Sequence, residues 1–510
     1  MTTECDFLTC MIDGKTPCEY CESRGTNGST KAKASKPAPK TRPQEGPPED
    51  LQPLTDLGNG RRFAADHGKI VRYCHPWLKW LVWDGMRWRI DDTGRVMALA
   101  KQTILGLFRW AEKMLKLLAE DDSPEAAIMV KRIKAVLDFA IKSQHVNRLK
   151  AMLDLARSEP GIPILPDVLD ADPWVLNCLN GTLDLKAGEL RPHNQADYIT
   201  KLCPVAFDPN ATCPTWKRVI LEILRTQELT GYIQRLCGYW LTGVTTEHAL
   251  PVLYGIGANG KSTFVGAIFD LLGTDYSGKA SRDLLTAVKG DKHPTALAWL
   301  HGKRFVAAIE TAEGARLDEA LVKELTGGDK INARRMREDF WEFQPSHKIA
   351  LVTNHKPAIK GTDYAIWRRL RLIPFTVVFP EDKQDKRLGE KLRAELPGIL
   401  NWMLAGCLAW QKNGLADPPE VLTATAEYRS AEDRLGEFLA DRCEEFTSND
   451  YRVKATDLYA AFKAWAKAAG EPEISGKAFG DAMTERGFQK DAGKRWYLQL
   501  RLKSAAEEEG

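Results

Sequence analysis

Residues 255 to 262 read Gly-Ile-Gly-Ala-Asn-Gly-Lys-Ser, a composition and spacing suited to wrapping phosphate. Gly255, Gly257 and Gly260 let backbone N–H groups, those of Ala258 and Asn259 among them, close around phosphate oxygens. The helix-like stretch that begins at Thr263 adds the positive end of its dipole. Lys261 can reach the β and γ phosphates and Ser262 can hold a magnesium ion, which points to ATP and Mg2+ as cofactors. The same octet contains Gly255-x-Gly257-x-x-Gly260, the spacing of a dinucleotide-binding turn. Lys-Ser after the last glycine favours the triphosphate. A dinucleotide site has no need of that lysine and wants an acid at the end of the next strand, roughly twenty residues on, whereas Asp270 and Asp275 lie in a helix-and-turn pattern.

Downstream, Arg304-Phe-Val-Ala-Ala-Ile-Glu310 is an apolar strand pattern ending in a carboxylate. Glu310, on a strand adjoining the glycine loop, is placed to meet the hydrated magnesium and activate water, with Glu313 as a second carboxylate ranked well below it. Lys348-Ile-Ala-Leu-Val-Thr-Asn354 is a further strand ending in an amide, so Asn354 can sense the γ phosphate. Arg368 and Arg369 can project from the fold's edge and stabilise a transferring phosphoryl group bound to a neighbouring subunit. The alternative for this pair is a solvated basic face. Between the two strands, the basic stretch 330–337 and the aromatic stretch 340–343 flank Glu338-Asp339 and predict a hairpin. Arg334, Arg335 and Arg337 can hold nucleic-acid phosphates there, while Phe340, Trp341 and Phe343 are expected in the core.

These pieces need a parallel sheet with helices on its faces, and the strand, glycine turn and helix order around Leu250-Pro-Val-Leu-Tyr254 supplies its first unit. The chain has 510 residues, 44% hydrophobic, with a net charge of +3. That length and composition predict several domains, and the near-neutral charge assigns any nucleic-acid binding to local patches. Residues 1–28 hold Cys5, Cys10, Cys18 and Cys21, which either bind one zinc ion or belong to a disordered tail. Residues 29–53, rich in Lys, Pro, Ala, Ser and Gln, read as a flexible linker.

Residues 54–160 combine a tryptophan-rich β unit with a helical region. Trp80-Leu-Val-Trp-Asp-Gly-Met-Arg-Trp-Arg89 is a hairpin pattern. Its aromatics, beside Arg72, Lys79, Arg87 and Arg89, could stack nucleobases, but strand tryptophans belong more often to a core. Residues 161–245 form a β and helical collar with no chemistry assigned to it, 246–380 the nucleotide-binding core, and 381–435 a helical lid or connector. Residues 436–503 read as helix, turn, helix and wing, with Ser475 capping the second helix, Lys477 near DNA phosphates, and Lys490, Lys494, Arg495 and Arg501 along the wing. Protein contact is the competing role for such a domain. The remaining cysteines, such as Cys203, Cys237 and Cys407, are expected to be buried thiols. No apolar run approaches membrane-spanning length and the N-terminus lacks a secretory pattern, so the expectation is a cytoplasmic protein.

Together these motifs resemble the superfamily 3 DNA helicases, and more closely the helicase portion of the phage and plasmid primase-helicase family. The likeness rests on Gly238-Tyr-Trp-Leu-Thr-Gly243, the loop at 255 to 263, Glu310, Lys323-Glu-Leu-Thr-Gly-Gly-Asp329 with Arg334, Thr353-Asn354-His-Lys-Pro357, and Arg368-Arg369-Leu with Ile373-Pro-Phe375. It spans about half the chain. The resemblance implies an α/β, AAA+-like P-loop ATPase core that assembles as a ring, a hexamer, hydrolyses ATP between subunits and moves 3′ to 5′ along single-stranded DNA. The C-terminal unit resembles the winged-helix tail of poxvirus-type and phage primase-helicases. One departure stands out: Thr311 and Ala312 follow Glu310, so there is no adjacent acidic pair.

The leading expectation is a replicative helicase of a phage, plasmid or integrated element in a bacterial host cytoplasm, working with a polymerase or primase partner. A primase-helicase is the second reading, and an origin-binding or loading protein that uses ATP only to assemble is the third. Against primer synthesis, Asp91, Asp92, Asp170 and Asp172 read as loop acids rather than a metal-binding pair.

Overall fold

The structure is a computed structural model that describes residues 52–281, 283–287, 295–309, 316–334, 339–359, 364–469 and 475–503. The chain divides into two units, Met1–Pro53 and Leu54–Gly510, and the fold set out below is that of the second. Cys5, Cys10, Cys18, Cys21, Glu310, Glu313, Arg335 and Arg337 lie outside the described residues.

The unit opens with helix α1 (Asp56–His67), whose first turn is closed by Gly58 N–H donating to Thr55 Oγ1 at 3.0 Å. Strands β1 (Val71–Cys74), β2 (Lys79–Trp83) and β3 (Trp88–Ile90) form the predicted β unit. The Asp84-Gly85 turn is held by Asp84 Oδ1, which accepts from Met86 N and Arg87 N at 2.9 Å each. Helices α2 (Arg95–Leu117), α3 (Pro124–Ser143) and α4 (Val146–Ala156) follow, and β4 (Pro163–Ile164) then joins β1 in parallel to give the order β3-β2-β1-β4. On α2, Ile104 and Ala111 are buried and Leu107 and Phe108 half-buried on one face. Trp88 is buried, its indole N–H donating to the Gln195 carbonyl at 2.9 Å, which places it in the core as expected.

A three-stranded meander, β5 (Val175–Cys178), β6 (Gly181–Asp184) and β7 (Glu189–Arg191), leads into α5 (Pro214–Leu224) and α6 (Gln227–Leu241). The central element comprises β8 (Leu250–Tyr254), α7 (Lys261–Tyr276), β9 (Ser277–Lys279), α8 (Thr295–Ala298), β10 (Phe305–Ile309), α9 (Glu319–Gly327), the antiparallel pair β11 (Ile331–Arg334) and β12 (Phe340–Phe343), β13 (Lys348–Thr353), α10 (Tyr364–Trp367) and β14 (Leu370–Pro374). Its five strands are all parallel, in the order β14-β8-β13-β10-β9. Near-continuous apolar strands such as Phe305-Val-Ala-Ala fit a sheet covered on both faces.

Helices α11 (Leu388–Ala394), α12 (Leu396–Asn413) and α13 (Pro419–Glu432) return across this sheet. Glycine sets how closely α12 meets α6. A Cβ on Gly238 would lie 2.0 Å from Cys407 N, and one on Gly406 would lie 1.9 Å from the Gln234 carbonyl oxygen, so neither position admits a side chain. Glu395, at the head of α12, caps α5 by accepting from Thr215 N and Trp216 N at 3.0 Å each. One apolar cluster therefore runs from Leu176 to Val421, across the divisions at 245/246 and 380/381.

The C-terminal unit contains α14 (Arg434–Arg442), β15 (Cys443–Glu445), β16 (Arg452–Lys454), α15 (Ala455–Ala468), α16 (Gly476–Glu485), β17 (Trp496–Leu498) and β18 (Leu500–Leu502), with β15 paired to β18 and β16 to β17. The seven cysteines among the described residues are free and buried. No helix among the described residues is long and apolar enough to cross a membrane.

Candidate functional site

The glycine loop connects the end of β8 to the start of α7, at the carboxyl edge of the parallel sheet. Gly260 is the residue before the helix, with φ +85°, and a Cβ there would stand 2.5 Å from Ile223 Cδ1 of α5. At Gly255 a Cβ would meet the Phe375 carbonyl oxygen at 2.2 Å. The Asn259 side chain is buried and ties the loop to the sheet by donating to the Phe375 carbonyl at 3.1 Å. Its amide thus braces the turn, and any contribution to phosphate binding falls to its backbone. Ala258 adopts a left-handed conformation, φ +46°, a strained choice for a residue with a Cβ.

Lys261 is 5% exposed, and its ammonium has three acceptors: Gly255 O at 2.5 Å, Asn259 Oδ1 at 3.1 Å and Asn354 Oδ1 at 3.0 Å. Burial pushes its pKa below that of an ordinary lysine. Ser262 is exposed and Thr263 half-buried, and both line a cleft of about 620 Å³ with the loop, Asn354 and helix α7. The far walls are α5, through Arg218 and Ile223, and the segment from Phe379 to Arg393. These residues fit a nucleotide: a cradle of backbone amides that excludes side chains, one ammonium, and a hydroxyl facing open space.

Two expectations need correction here. The strand adjoining β8 on the functional side is β13, which carries Asn354, and β10 lies one strand further out. The strand leading to residue 310 therefore approaches the loop across β13 rather than beside it, although β10, β13 and β8 end on the same edge, with Ile309 opposite Val352 and Thr353 opposite Tyr254. The collar is also more than a spacer, because α5 forms one wall of the cleft. Sequence periodicity identified α5 as a helix but carried no sign of what its face would meet.

The arginine pair separates. Arg369 is buried, donating to Thr326 Oγ1 on α9 at 3.1 Å and to the Ala365 carbonyl at 2.7 Å, and its own carbonyl accepts from Leu250 N at 2.7 Å. It fastens α9 and α10 to the head of β8, with its guanidinium engaged inside the fold. Arg368 is exposed.

In the hairpin, Arg334 pairs with Phe340, its guanidinium 5.4 Å from the ring centroid. Phe340 is 57% exposed, Trp341 half-buried and Phe343 buried, so of the three aromatics expected in the core, Phe340 is outside it. In the C-terminal unit Ser475 Oγ accepts from Ala478 N at 3.2 Å and caps α16, and Lys477 is exposed beside it. Lys490, Lys494 and Arg495 are exposed, whereas Arg501 pairs with Glu444. Among the described residues no group of three or more His, Cys, Asp or Glu could hold a metal ion.

Residues 60–225 match the family described as D5 N terminal like. Residues 253–369 match a family of unknown function, DUF5906. Over residues 60–225 the chain is similar to the D5-type primase-helicases. Among similar proteins are "Putative helicase L207/L206" of Acanthamoeba polyphaga mimivirus, 29% identical over 59% of this chain and 33% of that one, and "Putative helicase 121R" of Invertebrate iridescent virus 3, 25% identical over 59% and 35%. "Putative primase C962R" of African swine fever virus is 25% identical over 58% of this chain and 34% of its own length. The chain's match spans about a third of the length of these curated relatives. Among solved structures, the apo NrS-1 C-terminal region is 11% identical with a TM-score of 0.47, covering 87% of this chain and 98% of that one. These similarities sit beside an α/β fold of helices around a parallel sheet, and the relatives themselves carry the names putative helicase and putative primase.

Proposed function

We propose that the chain is an ATP-driven DNA helicase of a phage, plasmid or integrated element, acting as a ring, a hexamer, on single-stranded DNA with 3′ to 5′ polarity. The observation that carries this reading is the buried ammonium of Lys261 held between the glycine loop and Asn354 of the neighbouring strand. A cation satisfied by three neutral oxygens is readily transferred to phosphate oxygens, because the exchange replaces dipoles with full negative charge in a desolvated site.

In the bound state, ATP and Mg2+ supply the scissile phosphoanhydride and a Lewis acid. The loop amides at 255, 257, 258, 259 and 260, together with Thr263, bind and orient the phosphates, and Lys261 neutralises their charge. Ser262, with Glu310, would hold the metal, and Glu310 would take the proton of the attacking water. Asn354 accepts from Lys261 through Oδ1 and donates its amide N–H to the γ phosphate, and transfer of the ammonium from Oδ1 to phosphate transmits occupancy of the site to β13 and the hairpin before it. Arg368, the exposed member of its pair, acts on the neighbouring subunit's phosphate, while Arg369 positions the segment that bears it. Arg334, Arg335 and Arg337 grip the DNA backbone, and α16 with Lys477 forms part of a winged-helix-like contact to DNA. Cys5, Cys10, Cys18 and Cys21 form a zinc site in the N-terminal segment, and a polymerase or primase is the functional partner.

The test is ATP hydrolysis by the full chain with and without single-stranded DNA, beside Lys261→Ala and Glu310→Gln, followed by strand separation on a 3′-tailed duplex. DNA-stimulated hydrolysis lost in both variants, with unwinding by the unsubstituted chain, is the expected result. Hydrolysis indifferent to DNA with no unwinding would overturn the motor reading in favour of an ATP-dependent loading protein.

A further inference from the structure

We propose that a cleft between the small β unit and the amino edge of the parallel sheet is a second binding site for single-stranded DNA, continuous with the β11–β12 hairpin. The cleft, of about 370 Å³, is lined by Trp77, Lys79, Arg87, Arg89, Lys201 and His301, among others. That volume lies at the lower end of the roughly 300–1,000 Å³ typical of ligand sites, enough for one nucleotide at a time. It is not a second view of the ATP site, because His301 precedes β10 and the glycine loop lies beyond the opposite ends of the strands, a strand's length of roughly 17 Å away.

The lining carries four lysines and arginines against two carboxylates, Asp92 and Asp170. Asp170 uses both oxygens on Thr200, accepting from its N–H at 2.6 Å and from its hydroxyl, which leaves little of it to neutralise the cleft. Lys79 and Arg89 are exposed. Arg87 is fixed at the back by Asp275. The Lys201 stem lies against Gly302, where a Cβ would come within 2.8 Å of Lys201 Cε. Lys303 lies close enough to feel both the Lys201 charge and the opposing charge of Asp275, so Lys201 adds a cation to this wall while Asp275 is shared with Arg87. Trp77 is half-buried and offers a ring beside these cations, the pairing of phosphate ligand and stacking face that single-stranded nucleic acid requires.

The link to the hairpin is direct. His301 meets Trp341 edge-on at 4.9 Å and Phe343 at 5.2 Å, so one side chain is shared by cleft and hairpin. From Phe343 strand β12 runs to Phe340, opposite Arg334, a distance of roughly 10 Å at strand rise. A DNA strand held at Arg334 can therefore continue along β12 and past His301 toward Lys79 and Arg89. The proposal rests on the reading that the chain handles single-stranded DNA and does not depend on ATP hydrolysis.

The experiment is photo-crosslinking of iodouracil-substituted oligothymidylate to the full chain without nucleotide, with the crosslinked residues located by mass spectrometry, beside Lys79→Glu/Arg89→Glu and, separately, Arg334→Glu. The expected result is crosslinks at Trp77 as well as in the hairpin, with the Trp77 crosslinks lost in the double variant at unchanged melting temperature. The slope of log affinity against log salt should then fall by about 1.4, two contacts at about 0.7 each. Crosslinks confined to the hairpin, with unchanged affinity in the double variant, would overturn this proposal and leave the DNA reading standing. No crosslink anywhere at saturating DNA would overturn both.

Discussion

The ammonium of Lys261 lies 3.0 Å from the side-chain oxygen of Asn354, a contact between the glycine loop and the strand beside it. The two residues stand far apart in sequence yet share one half-buried hydrogen bond, so loading of the loop changes the bonding at the end of β13. Asn354→Ala is expected to bind ATP within a few-fold of the unsubstituted chain and to lose about 10²–10³ in kcat, the range seen on removing one positioned amide. Asn354→Asp should weaken ATP binding instead, because a carboxylate pairs with Lys261 and repels phosphate. Nucleotide titration beside turnover separates the two outcomes.

The affinity for ATP should also fall on the alkaline side earlier than an unperturbed lysine would dictate. Burial lowers the Lys261 pKa, and only the charged form attracts phosphate. Binding titrations across the alkaline range, compared with Lys261→Arg, check this: the guanidinium remains charged, so its affinity, though weaker, should hold flat.

Arg368 and Arg369 should fail differently. Arg368→Ala is expected to melt like the unsubstituted chain and to lose about 10³ or more in hydrolysis if it acts between subunits. Doping it into an excess of active subunits should then inhibit out of proportion to its fraction. Arg369→Ala leaves Thr326 and the Ala365 carbonyl without their buried donor and should cost about 2–4 kcal/mol in denaturant unfolding.

Acid sensitivity has a candidate source in His347. It is 2% exposed, neither ring nitrogen has a hydrogen-bond partner among the described residues, and burial, followed by the charge of Lys348, pushes it down to about 3. An unfolded histidine takes up its proton near 6.5, so between that pH and 3 the unfolded state binds more protons. Stability is therefore whole above pH 6.5 and declines as the pH falls through this window, by roughly 5 kcal/mol at its acid end. His347→Leu should flatten that decline, as read by denaturant midpoints at several pH values.

The glycine loop and the strands on either side of it were legible because each is a local pattern: glycines where side chains cannot fit, and apolar runs of strand length. Asn354 stood out for the same reason, being the amide that follows such a run. The sheet order was not, because nothing in Phe305–Ile309 or Lys348–Thr353 records which of them lies next to β8. The role of α5 was hidden too, since the packing of Ile223 against Gly260 is a tertiary contact that no local pattern records. Arg368 and Arg369 looked equivalent as a pair, and only the packing of α9 separates them. Phe340 misled in the opposite direction, as an aromatic residue in a strand that the hairpin turns outward beside Arg334.

The close contact between α6 and α12, possible only because Gly238 and Gly406 are glycines, has a consequence for biosynthesis. Helix α6 leaves the ribosome before the parallel sheet and α12 leaves after it, so every strand from β8 to β14 is synthesised before the clasp that encloses them can shut. A nascent chain paused before Leu396 therefore exposes the apolar face of α6 that α12 later covers, and chaperones would have their longest opportunity to bind at that stage.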